Sequence, residues 1–254
     1  MRGDAPRTFA AWVTEPRRSA RERGYRTAVR ASLAAVLLAA VPLVTRAAPA
    51  ATPGVPGPAD QGFVLSVRGG WATPVGELTG EGDPPLDAVV RSRTPLGLEV
   101  GYRLDRRLWL GLFLEFAPTR VHRTYCLTSC EGEAVRFGAS LQLHLSPRGS
   151  LDPWVGAGLA LEFLTLEASV DLDGDGQGDV DRELQYAGLS VPLQAGLDLV
   201  LASRLRLGPY LAVSPGQYTS VQQKGPGASG ARTRVEDRAT HAWLELGLRV
   251  ALLL

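Results

Sequence analysis

Four things are scarce in this 254-residue chain: cysteine, histidine, surplus charge and long apolar runs. The two cysteines, Cys126 and Cys130, are too few for a disulfide scaffold and too sparse for a four-ligand zinc site. A formal net charge of +1 gives no electrostatic case for nucleic acid, which calls for a basic patch or a high pI. The apolar run at 31–44 is broken by Pro42 and falls short of the roughly 20 residues a membrane-spanning helix needs. What the chain does have is punctuation. Its 29 Gly and 18 Pro are spread along its length, which favours many short strands over a few long helices.

The N-terminal region reads as a targeting segment. Arg17, Arg18, Arg21, Arg23, Arg26 and Arg30 precede the apolar run, and small residues follow it (Ala47, Ala48, Ala50, Ala51). A positive stretch, a short apolar stretch and an A-x-A site at Ala48-Pro49-Ala50 describe a cleaved secretory signal peptide. The expected organisation is a signal peptide with an extended basic start at 1–51, a Pro/Gly-rich linker at 52–61 and one β domain at 62–254.

From Gly62 onward the period is two. Phe63, Leu65, Val67 and Trp71 alternate with Val64, Ser66, Arg68 and Gly70; Leu110, Leu112 and Leu114 alternate with Gly111, Phe113 and Glu115. Similar runs at 95–104, 135–145, 155–163, 189–199, 205–213 and 244–254 bring the predicted strands to eight. Strict alternation marks a sheet with two unlike faces. One face is aliphatic. The other carries Arg68, Glu99, Arg103, Glu115, Gln142, Glu162, Gln194, Asp198, Arg206, Glu245 and Arg249 among glycines.

A soluble sandwich or lipocalin-like barrel also has one apolar face, turned inward. Three features favour the membrane instead. The strands run to about 10 residues, as a tilted spanning strand requires. Small residues recur on the polar face, as a narrow lumen needs. Expected connections alternate between long (73–94, 118–134, 169–184, 214–240) and short (105–107, 146–153, 202–203), as outer loops and periplasmic turns do. The fold class is therefore all-β: an eight-stranded antiparallel transmembrane β-barrel, preceded by a cleaved signal peptide, in a bacterial outer membrane.

The stretches Phe63-Val64-Leu65-Ser66-Val67-Arg68-Gly69-Gly70-Trp71 and Leu98-Glu99-Val100-Gly101-Tyr102-Arg103-Leu104 resemble the small outer-membrane barrels of the OmpA and OmpW type. The resemblance covers Gly62 to Leu254 and rests on pattern, not on an invariant motif. It implies a monomer in outer-membrane lipid, delivered to the barrel-assembly machinery. One departure is the last residue: Leu254 stands where such barrels commonly end on Phe, so recognition by that machinery is expected to be weaker or differently tuned.

Three motifs bear on chemistry. Asp171, Asp173, Asp175, Asp179 and Asp181, with Gly176 for the sharp turn, resemble the first half of a calcium loop. Arg182 occupies the twelfth position, where a bidentate Glu belongs, so the alternatives are weak Ca²⁺ binding and a solvated acidic turn. Cys126 and Cys130, in an outer loop and an oxidising compartment, are expected to form a disulfide. The charges Arg68, Glu99, Arg103, Glu115, Glu162, Arg206, Glu245 and Arg249 nearly balance, and a barrel of this size is just filled by side chains. Paired, they make a plug; gated, they make a narrow channel for small or apolar solutes.

An outer-membrane lipid-modifying enzyme is the third class. Of the histidines, His144 shares a face with Ser140, but four residues along a strand is roughly 13 Å, too far for a nucleophile and its base. His122 and His241 are placed in or near outer loops. No catalytic residue and no cofactor-binding residue is assigned, and no enzyme is expected. If the acidic loop binds Ca²⁺, isothermal titration of the refolded barrel should give a Kd of about 10⁻⁴–10⁻³ M, abolished by joint Asp173→Asn and Asp175→Asn substitution. A titration without heat leaves the segment a solvated turn.

Overall fold

The computed structural model describes residues 61–78, 80, 85–122, 129–170, 180–202, 204–225, 228, 230–236 and 238–254. The expected signal peptide and nearly all of the linker lie outside them. So do Asp171, Asp173, Asp175, Asp179 and Cys126, while Asp181 is described in its backbone alone.

The period-two segments fold into β1 (Gly62–Gly76), β2 (Val90–Arg93), β3 (Leu96–Arg103), β4 (Leu108–Val121), β5 (Ser129–His144) and β6 (Leu151–Val170). They continue as β7 (Val180–Ser190), β8 (Leu193–Val200), β9 (Leu205–Lys224), β10 (Arg232–Arg234) and β11 (His241–Leu253), with a single helical turn, α1 (Leu86–Val89), before β2. All pairings are antiparallel. The ladder runs β1–β3–β4–β5–β6–β8–β9–β11 and returns from β11 to β1, closing the sheet on itself.

Two wall strands are interrupted, each at a proline, which has no N–H to give to a ladder. Thr94-Pro95 separates β2 from β3, and Val191-Pro192 separates β7 from β8. The wall holds across both gaps because the proline carbonyls still accept: Pro95 O from Gly70 N at 3.1 Å, and Pro192 O from Gly158 N at 2.8 Å. Joining each pair gives eight wall strands, with β10 an addition on the outer end of β9.

Both ends of the barrel lie together, Leu254 N donating to Phe63 O at 2.8 Å, on the side of the short turns. In one of these turns Asp105 accepts from the amides of Arg107 (2.6 Å) and Leu108 (2.8 Å), a local Asx turn. Those two donors hold its carboxyl below the usual carboxylate range.

The long connections are shorter than the sequence pattern indicates. β4 continues to Val121 and β5 begins at Ser129, so strand occupies much of 118–134. β6 and β7 likewise narrow 169–184 to 171–179, and β9 with β10 takes up much of 214–240. The physical reason is an inversion of faces. In the outer extensions the apolar residues Leu164, Leu166, Leu184 and Tyr186 turn inward and are buried, while Glu131, Glu133, Glu167 and Glu183 lie on the opposite face. A search for aliphatics outside and charges inside stops at that boundary, although the hydrogen-bond ladder does not.

Below the boundary the outside is a continuous belt of exposed Leu, Val and Phe, among them Leu110, Leu112, Leu159, Leu211, Leu246 and Leu248. Soluble proteins rarely expose apolar patches beyond a few hundred Å², and this one encircles the molecule. Phe63 and Tyr102 meet edge-to-face at 5.2 Å near the turn end, where aromatic residues flank a membrane's apolar band. Leu112, 68 % exposed, stands mid-wall. Leu112→Arg should lower unfolding free energy in lipid vesicles by about 2–4 kcal/mol, against about 0–1 for Leu201→Arg at the turn end, read by urea titration.

Candidate functional site

The interior is where the chemistry collects. Among the described residues six buried carboxylates (Glu99, Glu115, Asp152, Glu162, Asp198, Glu245) meet six buried guanidiniums (Arg68, Arg93, Arg103, Arg136, Arg206, Arg249), with Arg182 buried nearer the outer end. All eight charges assigned to the lumen from sequence are in this set. Arg93, Arg136 and Asp152 join them, as does Asp198, which the alternation already puts on the polar face.

Register brings the partners together. Arg136 on β5 is directly opposite Glu115 on β4 and Glu162 on β6. Its Nε and Nη2 donate to the two Glu115 oxygens at 2.8 and 2.7 Å, the bidentate fit that a planar guanidinium makes with a carboxylate. Arg68 Nη2 adds a third bond to Glu115 at 3.0 Å, and Arg93 stands 3.5 Å away. Arg136 Nη2 also reaches Glu245 at 3.2 Å, and the Tyr210 hydroxyl donates to the other Glu245 oxygen. Arg68 and Arg249 are ladder neighbours of like sign. Glu99 offsets this, 3.2 Å from Arg68 and 4.0 Å from Arg249, while Gln142 accepts from Arg249 at 2.7 Å.

Toward the outer end, Glu162 accepts from Trp243 Nε1 at 2.7 Å and from the Tyr218 hydroxyl at 3.1 Å. Arg93 Nη1 lies 3.6 Å from it, and the Arg93 guanidinium sits over the Trp243 ring at 3.9 Å. At the turn end, Asp152 takes bonds from Arg206 and from His144 Nδ1, and Asp198 accepts from Trp154 Nε1 at 3.1 Å.

Glycines on the lumen face seat flat aromatic rings. A Cβ at Gly101 or Gly111 would fall 2.5 Å from Trp109 ring atoms, and one at Gly196 would fall 2.5 Å from Trp154. The rings of Trp109, Trp154 and Tyr210 therefore lie where a larger wall residue would stand, and the small residues noted in sequence are matched to them.

An apolar cluster lies toward the outer end of the barrel. Leu78, Leu86 and Val89, from the first long connection, fold inward with Val90 onto Leu164, Leu166, Leu184, Tyr186 and Trp243, all buried. Arg93 adjoins this cluster through the Trp243 ring.

Several placements correct the sequence reading. His241, read as in or near an outer loop, stands beside one as the first residue of β11; it is 1 % exposed, stacks on Tyr218 at 4.2 Å and faces Glu162 at 3.7 Å. Arg93 lies within a stretch assigned to loop, yet carrying the parity of Gly97, Glu99, Gly101 and Arg103 back across Pro95 lands on it. Asp152 and Trp154 fall in or beside a presumed link whose last three residues belong to β6. His144 is tied to Asp152, and Ser140 is buried on the same strand with no hydroxyl partner among the described residues. Cys130 is the second residue of β5, and no free thiol occurs among the described residues.

A closed antiparallel wall that is aliphatic outside and charged inside is stable only with hydrocarbon around it. The chain is a small β-barrel of the bacterial outer membrane. It is similar in fold to Neisserial surface protein A (15% identity, 74% of this chain and 96% of that one, TM-score 0.44). It is also similar to the outer membrane protein AlkL in DMPC lipid bilayers (18%, 82% and 98%, 0.49) and to a major outer membrane protein from Thermus thermophilus (12%, 75% and 99%, 0.46). No family model and no curated protein matches. Likenesses of this size establish nothing further; the membrane placement rests on the burial pattern.

Removing one member of the central cluster strands the others. Glu115→Ala should cost about 3–5 kcal/mol by leaving Arg136, Arg68 and Arg93 with a surplus of buried positive charge, whereas the pair Glu115→Leu with Arg136→Leu should cost much less. Denaturant titration in vesicles compares the two.

Proposed function

We propose that the barrel is a closed, non-enzymatic one, a structural or surface-binding protein whose lumen is plugged and whose outer loops make any contact. The carrying observation is the stacking of an apolar cap (Leu78, Leu86, Val89) on a charge-balanced core. A permeating solute would have to break buried ion pairs, each costing several kcal/mol to desolvate and separate. The expected Cys126–Cys130 disulfide and the acidic loop 171–181 would both stiffen outer loops in this reading. Monomeric state and delivery to the barrel-assembly machinery belong to the same proposal.

One observation favours a second reading, a narrow channel. Among the described residues, buried polar atoms that make no hydrogen bond run along the lumen: three nitrogens of Arg93 and both ring nitrogens of His241, whose nearest carboxylates stand 3.5–3.7 Å away, Arg103 Nε, and the hydroxyls of Ser190 and Ser214. Internal water is the usual partner for such atoms, and a continuous file of it would conduct. Planar-bilayer recording of the purified barrel decides between them. The plugged reading expects no discrete openings at 1 M KCl; reproducible steps in the wild type would overturn it in favour of the channel.

A further inference from the structure

A groove of about 820 Å³ opens on the barrel's outer surface at the loop end, across β2, β4 and β5. Its floor holds Phe116 and Pro118, which continue the outward face of β4 upward from Leu110, Leu112 and Leu114. Above them stand Arg91, Arg120 and His122, with the Glu131 carboxylate on the β5 side. Arg91 falls at the irregularity between Val90 and Ser92, opposite Arg120 and Val121 of β4, so both guanidiniums face outward on adjoining strands.

From this geometry we infer a binding site for the phosphorylated headgroup of an outer-leaflet lipid. Two arguments select that occupant. The groove is continuous with the lipid-facing belt, so acyl chains reach Phe116 and Pro118 from below without leaving hydrocarbon. At headgroup height Arg91 and Arg120 are exposed on adjoining strands, with Glu131 lining the β5 side and Glu133 opposite Pro118, and guanidinium pairs bind phosphate oxygens through parallel N–H donors. The site rests on the membrane reading and on the loop end being outermost.

The test is native mass spectrometry of the intact barrel from mixed micelles holding equal diphosphoryl lipid A, dephosphorylated lipid A and phosphatidylcholine. The wild type should retain diphosphoryl lipid A at least tenfold over the other two. Joint Arg91→Ala and Arg120→Ala should remove that preference. Arg232→Ala with Arg234→Ala, which deletes equal charge from exposed β10, should keep it. Equal retention by both double variants, or equal loss from both, overturns the site. Displacement by millimolar inorganic phosphate overturns the lipid as its source, and equal retention of phosphatidylcholine reduces the groove to an apolar contact. A heat-dependent mobility shift in SDS gels, run on each variant, reports the barrel itself. Loss of that shift in the wild type would instead sink the membrane reading.

Discussion

Everything in this structure depends on closing a sheet where no water can satisfy its edges. In hydrocarbon each unpaired backbone N–H or C=O costs several kcal/mol, so the β1–β11 ladder, thirteen residue pairs from Val64 to Gly76, sets the condition for the rest of the wall. Closure then sorts the side chains. Alternation sends one residue in two to lipid and one to a narrow lumen, and charge on the lipid side is costly. The charged residues are therefore inside by exclusion, and once inside they have to neutralise one another.

That neutralisation explains the particular order of the lumen. Glu115 sits against three arginines because β4 and β5 bring Arg136 opposite it while Arg68 and Arg93 arrive from β1 and β2. Glu245 and Glu162 take the remaining Arg136 and Arg93 charge from the far wall. The aromatic residues fill space between these layers and lend N–H and O–H donors, as Trp243, Tyr218 and Tyr210 do toward Glu162 and Glu245. Glycine seats beneath Trp109 and Trp154 let large rings share a narrow bore with the charged side chains.

The wall between the turns and mid-height was legible in the sequence because both faces there obey one rule. Strand number, which residues face inward, and the eight lumenal charges all follow from that alternation. Legibility ends where the solvent changes. In the outer extensions Leu164, Leu166 and Leu184 pack inward and the glutamates turn out, so period two persists with its meaning reversed. Arg93 was hidden by the proline break, and His241 by its position just past a long connection. Contacts between strands far apart in sequence, such as Arg136 with Glu245, were legible only as a charge tally, since alternation fixes a residue's face and not its height.

The charged core also bears on register, and here its cost has a return. An apolar filling would make the two faces of each strand alike, and a strand slipped by one residue would meet little resistance. In the wall as built, a one-residue slip of β4 would turn Glu115 into lipid and Leu114 into the lumen, and would break the Glu115–Arg136 pair at the same time. Buried ion pairs contribute little net stability against well-packed apolar residues. They penalise the wrong arrangement far more than they reward the right one. For a sheet whose outer surface is wetted equally by lipid in many registers, that penalty is what singles out one barrel.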